Sequence, residues 1–132
     1  MSGAAAIAER GEHMLDLAGV SYRLRPSHQA MRAIEAKTER SSLELVRMGN
    51  VGALSLDLLG AIAAELIRAG AEDEMGRAVH ADRIGELIYE QGVAGVTFRL
   101  TAVLADAVSG GRKASGEAKA AAAATTGTAG AA

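Results

Sequence analysis

Residues 14–35, MLDLAGVSYRLRPSHQAMRAIE, constrain the fold of this chain most strongly, because a strand pattern gives way there to a helix pattern at a proline. Apolar and polar side chains alternate from Leu15 to Leu24, which is typical of half-buried strands. If Ala18 and Gly19 form a two-residue turn, the two halves pair as an antiparallel ribbon. One face of the ribbon is predicted to carry His13, Leu15, Leu17, Val20, Tyr22 and Leu24.

The turn decides the register of this ribbon. Gly19 readily adopts the positive φ that such a turn needs, but Ala18 does so poorly. A strand pairing shifted by one residue is therefore an alternative. The opposite face is predicted to meet water, since its side chains are polar: Glu12, Asp16, Ser21, Arg23 and Arg25.

Helices are expected to cover the ribbon, because two strands alone are marginally stable. Pro26 ends the second strand and Ser27 caps a first helix. Four more helices are predicted, beginning near Ser41, Ser55, His80 and Val93. The third contains Gly60, a residue that at such a position often marks a close crossing with another backbone, and residues 70–80 are predicted to be a polar loop.

The two ends of the chain differ in composition from its middle. Residues 1–10 are mostly small, and residues 110–132 contain no large apolar side chain. We therefore predict an α+β fold, in which an N-terminal β-hairpin packs against a bundle of about four to five α-helices. A single domain is expected over residues 11–109, with a flexible segment at 1–10 and a disordered Ala/Gly-rich tail at 110–132.

Charge and composition narrow the classes of partner. The net charge is −2 with interspersed signs, so no nucleic-acid partner is expected. The sequence contains no cysteine, which excludes disulfides and thiolate metal sites. It also contains no apolar run of transmembrane length and no recognisable secretory signal. We expect a cytoplasmic protein without a membrane partner.

No catalytic, metal or cofactor site is predicted. His13, His28 and His80 are far apart and lack ligand spacing. The serines at positions 27, 41 and 55 are explained as helix caps. We expect a protein that is not an enzyme and needs no cofactor.

One feature suggests binding. Phe98 projects nearly opposite the apolar stripe of the last helix, in line with Ala102 and Ala105. These three residues are predicted to form a partner-binding patch. The alternative, that the ribbon or the third helix covers Phe98 within the same chain, stays open.

Two stretches of the sequence share features with a known family: Leu15-Asp16-Leu17, Gly19, residues 22–26 (YRLRP), Ile34-Glu35, Thr38, Ser42-Leu43 and Leu45 in the first, and residues 84–92 (IGELIYEQG) in the second. Over roughly Glu12 to Val108, the chain resembles the tail assembly chaperone family of gene transfer agents and related phages. One departure concerns the turn after the first helix, where members of that family tend to have glycine and this chain has Glu39.

The resemblance implies a non-enzymatic chaperone of tail morphogenesis, which binds the tape-measure protein, and possibly the tail tube protein, in the producing bacterial cell. Two alternatives differ in class. One is a structural tail subunit, such as a tube or connector component, that is retained in the mature particle. The other is a small regulatory domain that self-associates through an edge of its ribbon.

Overall fold

The computed structural model describes residues 13–119, which form one two-stranded antiparallel sheet and six helices. This arrangement confirms the predicted α+β fold with its N-terminal hairpin. Residues 1–12 and 120–132, including the predicted flexible N-terminus and most of the predicted tail, lie outside the described residues. The elements are β1 (His13–Leu17), β2 (Val20–Leu24), α1 (His28–Thr38), α2 (Ser42–Asn50), α3 (Leu56–Gly70), α4 (Glu74–Arg77), α5 (Ala81–Gln91) and α6 (Val93–Val108).

The short helix α4 was not predicted, and it lies in the stretch that was expected to be a loop. Asp73 caps it, accepting a hydrogen bond from the Gly76 amide at 2.8 Å. The helix is only four residues long and buries none of them. A one-turn helix of this kind leaves no apolar periodicity to read in the sequence.

The hairpin has the predicted register. Leu15 pairs with Tyr22, and Leu17 pairs with Val20 across a two-residue turn. Ala18 has φ 50° and Gly19 has φ 82°, so alanine accepts the less favourable backbone conformation. The Ala18 amide donates to the side-chain oxygen of Gln91 at 3.2 Å, which fastens the turn to the end of α5.

The second face of the hairpin is only partly exposed, and this corrects the prediction for Arg23. Asp16 and Ser21 do meet water, and they share a hydrogen bond of 2.5 Å. Arg23, however, is buried and forms an ion pair of 2.8 Å with Glu72. The reason is that the end of α3 packs against β2, as the 3.1 Å bond from the Arg25 amide to the Leu66 carbonyl shows.

Helix α3 lies at the centre of the domain and contacts β2 and four of the five other helices in the described part of the chain. Ser55 caps it, accepting from the Leu58 amide at 3.1 Å. Burial extends over more than one stripe of α3, because Ile62 and Ala64 are fully enclosed together with Leu59, Ala63 and Leu66. A helix buried on several sides is apolar around most of its circumference, and α3 follows that rule. Its buried residues are Leu59, Gly60, Ile62, Ala63, Ala64, Leu66, Ile67 and Gly70.

The crossing of α3 and α5 depends on Gly60, as the sequence suggested. A Cβ at Gly60 would lie 2.7 Å from the Ala81 carbonyl oxygen and 3.4 Å from the Gly85 Cα. By contrast, a Cβ at Gly85 would meet only the Leu56 carbonyl oxygen, at 3.7 Å. The two backbones therefore approach so closely that only one of the paired glycines has room for a side chain.

Helix α6 is held from one side by α2, with Gly49 of α2 packed directly against the Thr101 side chain. Among the described residues, no helix has the length and apolar character needed to cross a membrane. The buried residues of α6 are Val96, Thr97, Leu100, Thr101, Val103 and Leu104.

Residues 110–119 fold back onto the domain, which differs from the tail predicted to begin at residue 110. The Ala114 carbonyl accepts from the His28 amide at 2.7 Å, and the Ser115 carbonyl accepts from the Arg25 side chain at 2.7 Å. Arg112 also forms an ion pair with Asp106 at the end of α6. Backbone carbonyls and one charged pair hold this segment, so it needs no large apolar side chain.

Glu39 offers a first test, because it ends α1 with φ 57°, a left-handed conformation that favours glycine. We expect Glu39→Gly to raise the free energy of unfolding by about 0.5–1 kcal/mol. Ala36→Gly, on the exposed side of α1, should instead lower it by about 1 kcal/mol. Urea denaturation of both variants tests the difference in sign, and a loss of stability in both would contradict the strain at Glu39.

The helix crossing offers a second test. Gly60→Ala is expected to lower the free energy of unfolding by roughly 1–3 kcal/mol, because the new methyl group meets the Ala81 carbonyl. Gly85→Ala faces ordinary contact distance and should stabilise by up to about 1 kcal/mol through helix propensity. Thermal and urea unfolding measure both, and a stabilised Gly60→Ala would refute the close crossing.

Candidate functional site

The outer face of α6 carries the residues that the sequence singled out for partner binding. Phe98 is 80% exposed, and Ala102, one turn later, is exposed beside it. Ala105 lies in line with them but is partly buried and packs against the core. The fold thus brings Phe98 and Ala102 together on one open surface. The alternative that the ribbon or the third helix covers Phe98 is wrong.

Helix geometry explains why Phe98 points outward. It lies two residues from both Val96 and Leu100, which are buried, and a shift of two residues turns a helical side chain to the other side. Since α2 and the central helix α3 contact α6, the core-facing side of α6 is already occupied. An exposed phenylalanine therefore adds nothing to the core, and its use has to be sought at the surface.

Small residues surround Phe98 along α6. Ala94 and Gly95, about one turn before it, are both exposed. Together with Ala102 they leave the phenyl ring as the single large apolar side chain on this face of the helix. Another backbone could approach such a face closely, with the ring as its anchor. Ala94 and Gly95 were not predicted to belong to this face, although their spacing of four and three residues from Phe98 indicates it.

A groove borders this face, between β1 and the first turns of α6. Its volume is about 330 Å³. In an antiparallel ribbon with a two-residue turn, every second residue forms hydrogen bonds across to the other strand. Met14 and Asp16 are the residues between, so their backbone N–H and C=O groups point away from β2. Apolar surface on α6 and a strand edge thus lie side by side. The groove is lined by Met14, Leu15, Asp16, Gln91, Gly92, Ala94, Gly95, Val96 and Arg99.

The titratable side chains do not gather into a metal-binding cluster within residues 13–119. His13 lies 3.5 Å from Asp106, while His28 begins α1 and His80 precedes α5. Several carboxylates hold elements together. Glu65, for example, lies 2.7 Å from Arg68 and 3.5 Å from Lys37.

Glu35 joins α1 to α2. Its carboxylate accepts from both the backbone amide and the hydroxyl of Ser42, each at 2.8 Å. The amide bond, followed by the hydroxyl bond, lowers the pKa of Glu35 below its ordinary value. Glu35 therefore satisfies a free amide at the start of α2, a role beside that of the neighbouring cap, Ser41.

The charge on Glu35 should make stability depend on pH. Because its pKa is lowered in the folded protein, its contribution is present above the ordinary value of 4.5 and is lost as pH falls through the folded value. Glu35→Gln is expected to cost roughly 0.5–1 kcal/mol at neutral pH, and the difference from the parent should narrow in acid. Urea unfolding across this range tests it, with the exposed Glu39→Gln as control. A constant difference at every pH would contradict the assignment.

No protein-family model matches this chain, and no curated protein or solved structure matches it significantly. The resemblance to tail assembly chaperones therefore stays a prediction from the sequence, and function has to be inferred from the surface that the fold exposes.

Proposed function

We propose that this protein is a non-enzymatic tail assembly chaperone of a phage or gene-transfer-agent-like particle. It acts in the cytoplasm of the producing bacterial cell and binds the tape-measure protein during tail morphogenesis. The observation that carries the proposal is the exposed pair of Phe98 and Ala102 on α6. The family resemblance supplies the identity of the partner.

The α6 face suits a helical partner. A tape-measure protein, as the resemblance implies it, presents long apolar stripes on helices. Helices of this kind bind through a few apolar anchors spaced by one turn. The phenyl ring of Phe98 supplies such an anchor, while Ala94, Gly95 and Ala102 leave room for the backbone of the partner.

The size of the face fits a temporary contact. A single aromatic anchor among small residues offers much less apolar surface than the interfaces of permanent complexes. Binding through it is expected to be reversible. That property suits a chaperone, which has to leave the tape-measure protein when tube subunits polymerise around it.

Co-purification with a tape-measure fragment tests the proposal. We expect Phe98→Asp to weaken capture at least about tenfold, because a carboxylate would replace the apolar anchor. Met75→Asp is a matched control, since Met75 is 83% exposed on α4 and lies outside the α6 face. Circular dichroism and thermal unfolding establish that both variants are folded. Unchanged capture by folded Phe98→Asp would overturn the role of this face.

Mass spectrometry of purified particles separates the proposal from the structural-subunit alternative. A chaperone is expected to be absent from mature particles or far below stoichiometric amounts. A stoichiometric presence would favour a tube or connector component.

A further inference from the structure

A second groove lies between the start of α3 and the length of α5, and none of its lining residues belongs to α6. Its volume is about 720 Å³. Ala81 and Gly85 lie along its α5 side, where both are half-buried and neither carries a large side chain. Two larger apolar side chains flank it, Tyr89 at 71% exposure and Leu56 at 38%.

The charges of this groove all have one sign. Four carboxylates line it, from Asp57, Asp82, Glu86 and Glu90, and no lysine or arginine is among its described lining residues. Arg83, just outside the lining, donates to Glu86 at 2.8 Å and also attracts Glu90, whereas Asp57 and Asp82 form no ion pair within residues 13–119. The chain as a whole is close to balanced, with 14 basic and 16 acidic residues, so four carboxylates beside a single arginine are a local excess of negative charge.

Helix stability explains only part of this arrangement. Asp57 and Asp82 stand in the first turns of α3 and α5, where negative charge is favourable. Glu86 and Glu90 follow Asp82 at intervals of four residues, and like charges at that spacing destabilise a helix. Glu90 also stands in the last turn of α5, where a negative charge is unfavourable. Glu90 is therefore present at some cost to α5, whereas the ion pair with Arg83 offsets the cost of Glu86.

We infer that the groove between α3 and α5 binds a cationic amphipathic helix of a partner protein, at a surface separate from the α6 face. The apolar side of that helix packs against Tyr89 and Leu56, and the small residues Ala81 and Gly85 admit it closely. Asp82, Glu86 and Glu90 are spaced by about one turn each, the same interval as lysine or arginine side chains along one face of the incoming helix. Charge complementarity selects the partner and the apolar contacts hold it.

The test uses two synthetic helical peptides of about four turns, with the same leucine face and either lysine or glutamate on the polar face. Binding to the full chain is followed by NMR titration of the backbone amides. We expect the lysine peptide to shift the amides of residues 56–57 and 81–90, and the glutamate peptide to shift none of them. Amide shifts confined to α6, or equal shifts with both peptides, would overturn the inference.

Two charge substitutions distinguish binding at this groove from a general attraction between the acidic protein and a basic peptide. Glu90→Lys should weaken binding of the lysine peptide about tenfold while leaving the melting temperature unchanged or higher, because it removes an unfavourable charge from the end of α5. Glu39→Lys changes the net charge equally, at an exposed residue outside the groove. Equal weakening by both would show a bulk charge effect and refute the site.

The apolar contact has its own pair of variants. Tyr89→Ala is expected to weaken binding several-fold, and Met75→Ala, an exposed apolar control, is expected to leave it unchanged. Phe98→Asp should also leave it unchanged, because Phe98 does not line the groove. Phe98→Asp thus distinguishes the two surfaces. Capture of a tape-measure fragment by this variant tests the α6 face, and binding of the lysine peptide tests the groove independently. Full binding by Tyr89→Ala would overturn the inference.

Discussion

The burial of α3 organises the rest of this domain. Its side chains fill the space between the hairpin and the other helices, and its backbone meets α5 at Gly60. At its far end, the Leu66 carbonyl takes the hydrogen bond of the Arg25 amide, just where the ribbon ends at the proline. One helix thus supports both the sheet and the bundle. A change in its position would move the two grooves, since one borders α3 directly and the other lies on helices and a strand that α3 helps to hold.

Two surfaces of different character result from this packing. The α6 face centres on one aromatic ring, with the exposed Arg99 beside it, whereas the groove between α3 and α5 is rimmed by carboxylates. Both are built on helices with well-packed opposite sides, so the proposed partner contacts lie on helices rather than on loops. A protein with two such surfaces is suited to hold two segments, one recognised mainly by shape and one mainly by charge.

The sequence predicts the parts of this fold that depend on local periodicity. The hairpin register follows from alternation around Gly19, and the helix starts follow from serine caps, because both signals lie within a few residues of the feature they specify. Arg23 could not be assigned in this way, since its burial depends on where the end of α3 packs. The direction of Phe98 was predictable from helix geometry, but its exposure depended on which elements pack beside α6. The groove between α3 and α5 brings together residues from two helices, and no motif in either helix predicts it because it depends on how the two pack.

Residues 111–119 form a short loop whose middle contacts α1 while its two ends lie together. The Lys119 amide donates to the Gly111 carbonyl at 2.8 Å, so the two ends of this segment lie side by side. Its middle contacts the start of α1, where the Ala114 carbonyl accepts from the His28 amide. A partner fused after residue 119 would therefore depart from beside Gly111, and the hydrogen bond between the Ala114 carbonyl and the His28 amide would stay in place.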